Sequence, residues 1–458
     1  MKKPPAQALM ERRTDAPPPA EMKKVEAYAR DYLAFLGTAK TERLAYAEAV
    51  RLLEAKGFRP LDSFKALKPG DKVYRGYHGG RKGTKAGLRI VGGHTDAPRI
   101  DLKSVPVMEK GRLAFFDTHY YGGIKKFQWV TLPLALYGVV VRKDGTKAEI
   151  SIGDAPGDPV FLITDILPHL GQDQMAKPMR EAIPGESLDL LVGSLPEAGA
   201  KKGAKDAVKR NVLRLLLERY GITEQDLASA ELEIVPAGAP RELGLDRALL
   251  AGYGHDDRVC AYAALRALLD RPAAAPERTA MVLLCDKEEI GSVGATGMES
   301  TFFENSVAEL LEREEKEPRD IVLRRALEAS QMLSADVTAA SDPHFADLDS
   351  PGNAALLHAG PCINKYTGSR GKSGANDARA EFLAELRAVL DGAGVRWQIG
   401  ELGKVDKGGG GTIAMFLSRY GMDVVDIGTP LLNMHAPWEA ASKIDCWYTH
   451  RAYAAFLA

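Results

Sequence analysis

The stretch Leu88-Arg-Ile-Val-Gly-Gly-His-Thr-Asp96 decides how the fold is read. Leu88 to Val91 has the length and composition of a buried strand, and the two glycines behind it end the apolar run. His94-Thr95-Asp96 then falls at the strand exit, where open α/β sheets collect their ligands. A His with an Asp two positions on can set one ring nitrogen on a metal while the carboxylate orients the other.

Upstream of this strand, positions 22–56 carry helical spacing, with apolar Val25, Tyr28, Ala29, Tyr32 and Leu33. Residues 1–20 are basic and proline-rich, lack the apolar core of a secretory signal, and read as a flexible arm. Downstream the character shifts. From about Val105 to Ala237 aromatic and β-branched runs dominate, a strand enters a hairpin turn at Asp144-Gly145, and one amphipathic helix covers 206–220. After Pro236 strands at 281–285, 332–333, 395–399 and 424–427 alternate with helices at 257–269, 310–328, 377–390, 411–420 and 441–456. That alternation predicts an α/β layered sheet interrupted by a mostly β insertion.

The chain has 458 residues, enough for two or three domains at about 150 residues each. Its 61 basic and 62 acidic residues leave a net charge of -1. This balance excludes the basic footprint of a general nucleic-acid binder and gives no attraction to anionic membranes. The most apolar stretch, 129–141, is too short to span a bilayer and contains Pro133 and Gly138. Cys260, Cys285, Cys362 and Cys446 form no CxxC pair, which excludes a zinc ribbon and a secreted disulfide framework and predicts a reduced, cytoplasmic protein.

Four further segments set polar residues at predicted strand ends: His255-Asp256-Asp257-Arg258, Asp286-Lys287-Glu288-Glu289, Ser334-Ala335-Asp336, and Asn433-Met434-His435-Ala436-Pro437. Each alone has a plainer reading. His94 and Asp96 could be a surface pair, Asp256-Asp257 an acidic helix cap, and Glu288-Glu289 a solvated turn. Together they supply two His and three carboxylates, the ligand set for a pair of divalent ions with one shared carboxylate and an open position for water. An adjacent Glu that binds no metal is the general base such a site needs.

Three of these segments carry a resemblance. Val91-Gly-Gly-His-Thr-Asp-Ala-Pro-Arg-Ile-Asp-Leu-Lys103, Asp286-Lys-Glu-Glu-Ile-Gly-Ser292 and Val425-Asp-Ile-Gly-Thr-Pro-Leu-Leu-Asn-Met-His435 resemble the aspartyl-aminopeptidase family of cocatalytic dizinc exopeptidases. They occur in the family's order, from about His94 to the C-terminus. Thr118-His-Tyr-Tyr-Gly-Gly-Ile-Lys-Lys-Phe-Gln-Trp129 and Lys372-Ser-Gly-Ala-Asn-Asp377 are similar to its bacterial branch.

The resemblance implies a zinc-exopeptidase-like mixed sheet flanked by helices. Residues 1–105 and 238–458 would form the catalytic domain, and 106–237 an inserted dimerisation domain. His94 and Asp336 would hold one divalent ion, Glu289 and His435 the other, with Asp256 bridging. The ions would be Zn2+, with Co2+ or Mn2+ as alternatives. Asp96 would orient His94. Glu288 would activate a metal-bridging water that removes N-terminal amino acids from peptides. His169, in Ile166-Leu-Pro-His-Leu170, would reach the partner subunit's site, and dimers would assemble into a dodecamer. Where relatives usually carry Asn after the bridging Asp, this chain has Asp257, so the acidic-residue preference in the family's name stays open; Lys365, Arg370 and Lys372 are the candidate cations for it. The alternatives are a related shell-forming dizinc aminopeptidase and a non-catalytic peptide-binding homologue.

Overall fold

The computed structural model describes residues 12–458 apart from 75, 76, 79, 273 and 315–318. Residues 1–11 of the proline-rich arm therefore lie outside the described residues. Two compact units form: the chain up to Asp96 with Arg241–Met434 and Glu439–Ala458, and Ala97–Pro240 with His435–Trp438.

The first unit is mixed α/β. Four parallel strands, in the order Thr279–Cys285, Leu88–His94, Gln331–Ser334 and Asp423–Gly428, form its centre. Among the described residues they belong to a nine-stranded sheet, which short strands complete on both sides. Helices cover both faces, so the central strands read as continuous apolar runs rather than alternating ones. Val91, Val282, Leu333 and Val425 pack into a core with helices Pro19–Thr38, Glu42–Ala55, His255–Leu269, Ala380–Gly392 and Lys443–Leu457. Leu88, Ile90, Met281, Met332 and Val424 face the other core, with Phe303, Val307, Leu310 and Leu327. A five-stranded sheet, ordered Arg241–Leu243, Leu249–Gly252, Glu439–Ser442, Pro430–Leu432 and Thr338–Ala339, completes this unit.

Several predicted helices divide. The 22–56 pattern is two helices, because Thr41 caps the second by accepting from Leu44 N–H at 3.3 Å. The 310–328 run is Phe302–Glu314 and Asp320–Glu328. Only Ala414–Leu417 of 411–420 is α-helical. The last helix starts at Lys443 rather than 441, since Glu439–Ser442 is a strand and Ser442 caps the helix through Asp445 N–H. At the N-terminus, the buried Arg396 donates to the carbonyls of Arg13 at 3.1 Å and Asp15 at 2.7 Å.

The second unit is built on an antiparallel sheet, ordered Lys147–Ile152, Leu134–Val141, Ala230–Pro236, Arg99–Lys110, Leu113–Tyr121, Leu190–Gly193 and Leu162–Ile163. Lys147–Ile152 alternates exposed and buried residues, as an edge strand with one solvated face does. The apolar run 129–141 supplies the interior strand Leu134–Val141, whose side chains are almost all buried within this chain. It offers no apolar face of its own to a partner. Among the exposed apolar residues of this unit, Ile166, Leu167, Leu170, Met175 and Met179 fall close together in the chain.

Candidate metal centre

The C-terminal ends of the parallel strands bring the first unit's candidate residues together. His94 is the last residue of Leu88–His94, in register with Cys285 on the neighbouring strand. Thr95 locks that pairing, donating both its N–H (2.9 Å) and its hydroxyl (3.0 Å) to the Cys285 carbonyl. Gly93 has no substitute here. A Cβ on it would lie 2.7 Å from both the Ala335 carbonyl oxygen and Asp257 Oδ2.

The His94 imidazole is buried between acids. Its Nδ1 lies 3.0 Å from the Asp96 carbonyl and 3.2 Å from Asp96 Oδ1, so this nitrogen carries the proton and donates. Its Nε2 faces Asp256 Oδ1 at 3.3 Å and Glu288 Oε2 at 3.9 Å. Burial opposes charge on the ring, but hydrogen bonding to Asp256 and Asp96 outweighs it and holds the pKa well above the usual imidazole value. Asp96 does more than orient this ring. Its two oxygens accept the N–H groups of Glu288 and Glu289 at 3.1 Å each, fixing the turn that carries both. Asp286 braces the same turn from behind, accepting from Lys287 N–H and the Thr296 hydroxyl.

His94, Asp256 and Asp336 each offer a ligand atom within 4.8 Å of the others, and so do Asp256 and Glu289. Asp336 is pushed well above the ordinary carboxylate range, first by burial and then by Glu288, Asp257 and Asp256, against the pull of His94. Buried acids packed this closely need a cation to stay ionised. The nitrogen and oxygen donors suit a divalent ion such as zinc. The residues fit the group.

His435 belongs to the second unit. Its Nδ1 donates to the Gly123 carbonyl at 2.8 Å, which leaves Nε2 as the unprotonated, ligand-type nitrogen. His169 lies in the same unit, exposed in the short helical turn Pro168–Leu170 among the exposed apolar residues. Of the candidate specificity cations, Lys365 and Lys372 both pair with Asp377, the latter at 3.0 Å, and Lys372 also sits over the Tyr366 ring. With Tyr366, Arg370 and Lys404 it lines a cavity of about 300 Å³. The four cysteines are buried and free.

Two site residues take parts that the sequence does not assign them. Asp257, set down there as a departure from a family pattern, accepts the His94 N–H at 3.3 Å. Glu439, 2% exposed, accepts the Asp256 N–H at 3.0 Å. An isolated acid after Pro437-Trp438 carries no local signal for this.

A strand-end cluster of imidazole and carboxylates on a parallel sheet is the donor set of metal-dependent enzymes. Comparison with known proteins gives the family. The chain belongs to the aminopeptidase I zinc metalloproteases (M18), whose family model matches residues 35–457. It is a peptide-hydrolysing enzyme. A probable M18 family aminopeptidase 1 of Clostridium acetobutylicum is 48% identical over 449 residues, 95% of this chain and 96% of that protein. The crystal structure of an M18 aminopeptidase from Thermotoga maritima superposes with a TM-score of 0.89 at 45% identity, over 95% of this chain and 96% of that one. The mApe1 dodecamer of S. cerevisiae shares the fold at 18% identity and a TM-score of 0.74, over 95% of this chain and 97% of that one.

Proposed function

We propose that this enzyme removes N-terminal amino acids from peptides at a two-cation centre, with Glu288 as the general base. One ion would be held by His94 and Asp336, the other by Glu289 and His435, with Asp256 shared between them. Two divalent ions there, Zn2+ by family and Co2+ or Mn2+ as alternatives, would polarise the first peptide carbonyl and acidify the attacking water.

The single observation that carries this reading is the Asp96 clamp. It holds the Glu288 and Glu289 N–H groups while Glu288 Oε2 stands 3.9 Å from His94 Nε2. On this reading Glu289 would bind and its neighbour Glu288 would move a proton. Glu288 takes a proton from water at its carboxylate and returns it to the leaving amine. Asp96, on the far side of His94, keeps the ring in the tautomer that presents Nε2.

The region 106–237 is read as a dimerisation domain, and exposed Ile166, Leu167, Leu170, Met175 and Met179 are the surface a second copy would cover. His169 within that segment would then serve the partner's site, and dimers would build a dodecamer of the kind solved for the yeast relative. Four buried free thiols support a reducing, cytoplasmic setting.

The test is Glu288→Gln. Two metal ions per chain should remain by elemental analysis, while kcat on aminoacyl-amide substrates falls by at least about 100-fold. Activity near that of the parent would remove Glu288 from the role.

A further inference from the structure

We propose that Tyr32 and Glu439 are positioning residues of the metal centre, together fixing the segment that carries Asp256 and, through it, the affinity for cations. The inference rests on the reading of Asp256 as the shared ligand.

Three successive residues of the first unit are held by three different elements. His255 Nδ1 is hydrogen-bonded to the Tyr32 hydroxyl at 2.8 Å, and Tyr32 belongs to the N-terminal helix Pro19–Thr38. The Asp256 N–H donates to Glu439 Oε2 at 3.0 Å. Asp257 accepts the His94 N–H at 3.3 Å. All of these groups are buried, Tyr32 and His255 completely. The register explains how Glu439 arrives there: it pairs with Gly252, at the end of the strand that runs through Tyr253-Gly254 into His255. Without it, the Asp256 N–H at the helix start would need another acceptor.

Taking a phenol hydroxyl and a carboxylate out of water costs stability, and apolar side chains of similar volume would fill the same space without that cost. What the polar pair adds is direction. Hydrogen bonds in a dry interior fix a backbone to a geometry that apolar packing leaves loose. Direction matters most at Asp256, because a carboxylate shared between two ions would have to serve both. A shift of its segment then degrades both sites together. The N-terminal helix, which supplies no ligand, thereby becomes part of the metal centre.

The experiment compares Tyr32→Phe, Glu439→Ala and Glu439→Gln with the parent enzyme. It measures Zn2+ affinity by competition with a chromophoric chelator, the visible spectrum of the Co2+-loaded protein, Tm after metal removal, and kcat with KM. Tyr32→Phe and Glu439→Ala should each lose about 10–100-fold in Zn2+ affinity, the range for groups that hold metal ligands in place. The Co2+ bands should shift, and kcat should fall with KM unchanged. Glu439→Gln should regain the Zn2+ affinity, since its amide oxygen still accepts the Asp256 N–H. Variants with parental Zn2+ affinity and Co2+ spectrum, altered only in metal-free Tm, would overturn the inference. So would Glu439→Gln binding as weakly as Glu439→Ala. If Glu439→Ala does not fold, Tyr32→Phe, which keeps the ring, decides alone. A parent that fails to bind two Zn2+ overturns the assignment of Asp256 itself, whereas a two-zinc parent with unchanged variants overturns the positioning role only.

Discussion

Asp445 shows what burial does to an acid that no metal rescues. It accepts N–H groups from His358 and Gly360 at 2.7 Å each, yet burial still lifts its pKa from 3.8 to about 7. Between those values the folded protein keeps a proton that the unfolded chain has released. Its contribution to stability therefore falls as pH rises through this window, by up to about 1.4 kcal/mol per pH unit, and is level above it. Asp445→Asn should flatten the difference in urea midpoint between pH 5 and pH 8; an unchanged difference would clear Asp445 of the effect. Neither this residue nor Glu439 stood out in the sequence, because one acid among apolar neighbours looks the same whether it ends up buried or at the rim. The residues that did stand out share a position. His94, Asp256, Glu288, Glu289 and Asp336 all follow apolar runs that could be read as strands or precede one that could be read as a helix. The Asp96 clamp on Glu288 and Glu289 was hidden for a different reason: it exists only because Leu88–His94 and Thr279–Cys285 are neighbours, and no local spacing reports that.

At the scale of elements, the parallel strands were legible because burial on both faces makes their apolar runs continuous. Helix ends were not, since caps such as Thr41 and Ser442 are common residues whose role depends on backbone conformation. The run 129–141 was legible as well. Its apolarity reports an interior strand, with Lys147–Ile152 on one side and Ala230–Pro236 on the other. Gly138, in the middle of that strand, sits at φ 136°, and a Cβ there would come within 1.9 Å of the Glu231 carbonyl oxygen. Gly138→Ala should cost about 3 kcal/mol or more, through clash and strain together. Thermal unfolding of the purified variant measures it, and a Tm equal to the parent's would mean that the strand pair can part locally without cost.

For the whole molecule, the prediction concerns assembly. If Leu170 and its exposed neighbours form the surface between copies, Leu170→Asp should lower the mass in solution by light scattering. Activity should fall with it, because His169 would lose the site it serves. An unchanged mass would send the search for the interface elsewhere. The order of the strands also bears on how the enzyme is made. Among the described residues, Leu88–His94 pairs only with Thr279–Cys285 and Gln331–Ser334, whereas every strand of the antiparallel sheet lies between Arg99 and Pro236. On the ribosome, which adds about 5–20 residues per second, the inserted sheet can close while the strand that bears His94 still waits for partners not yet synthesised. The host is thus finished after its guest, and the residue proposed as its first ligand spends much of translation without the strands that will enclose it.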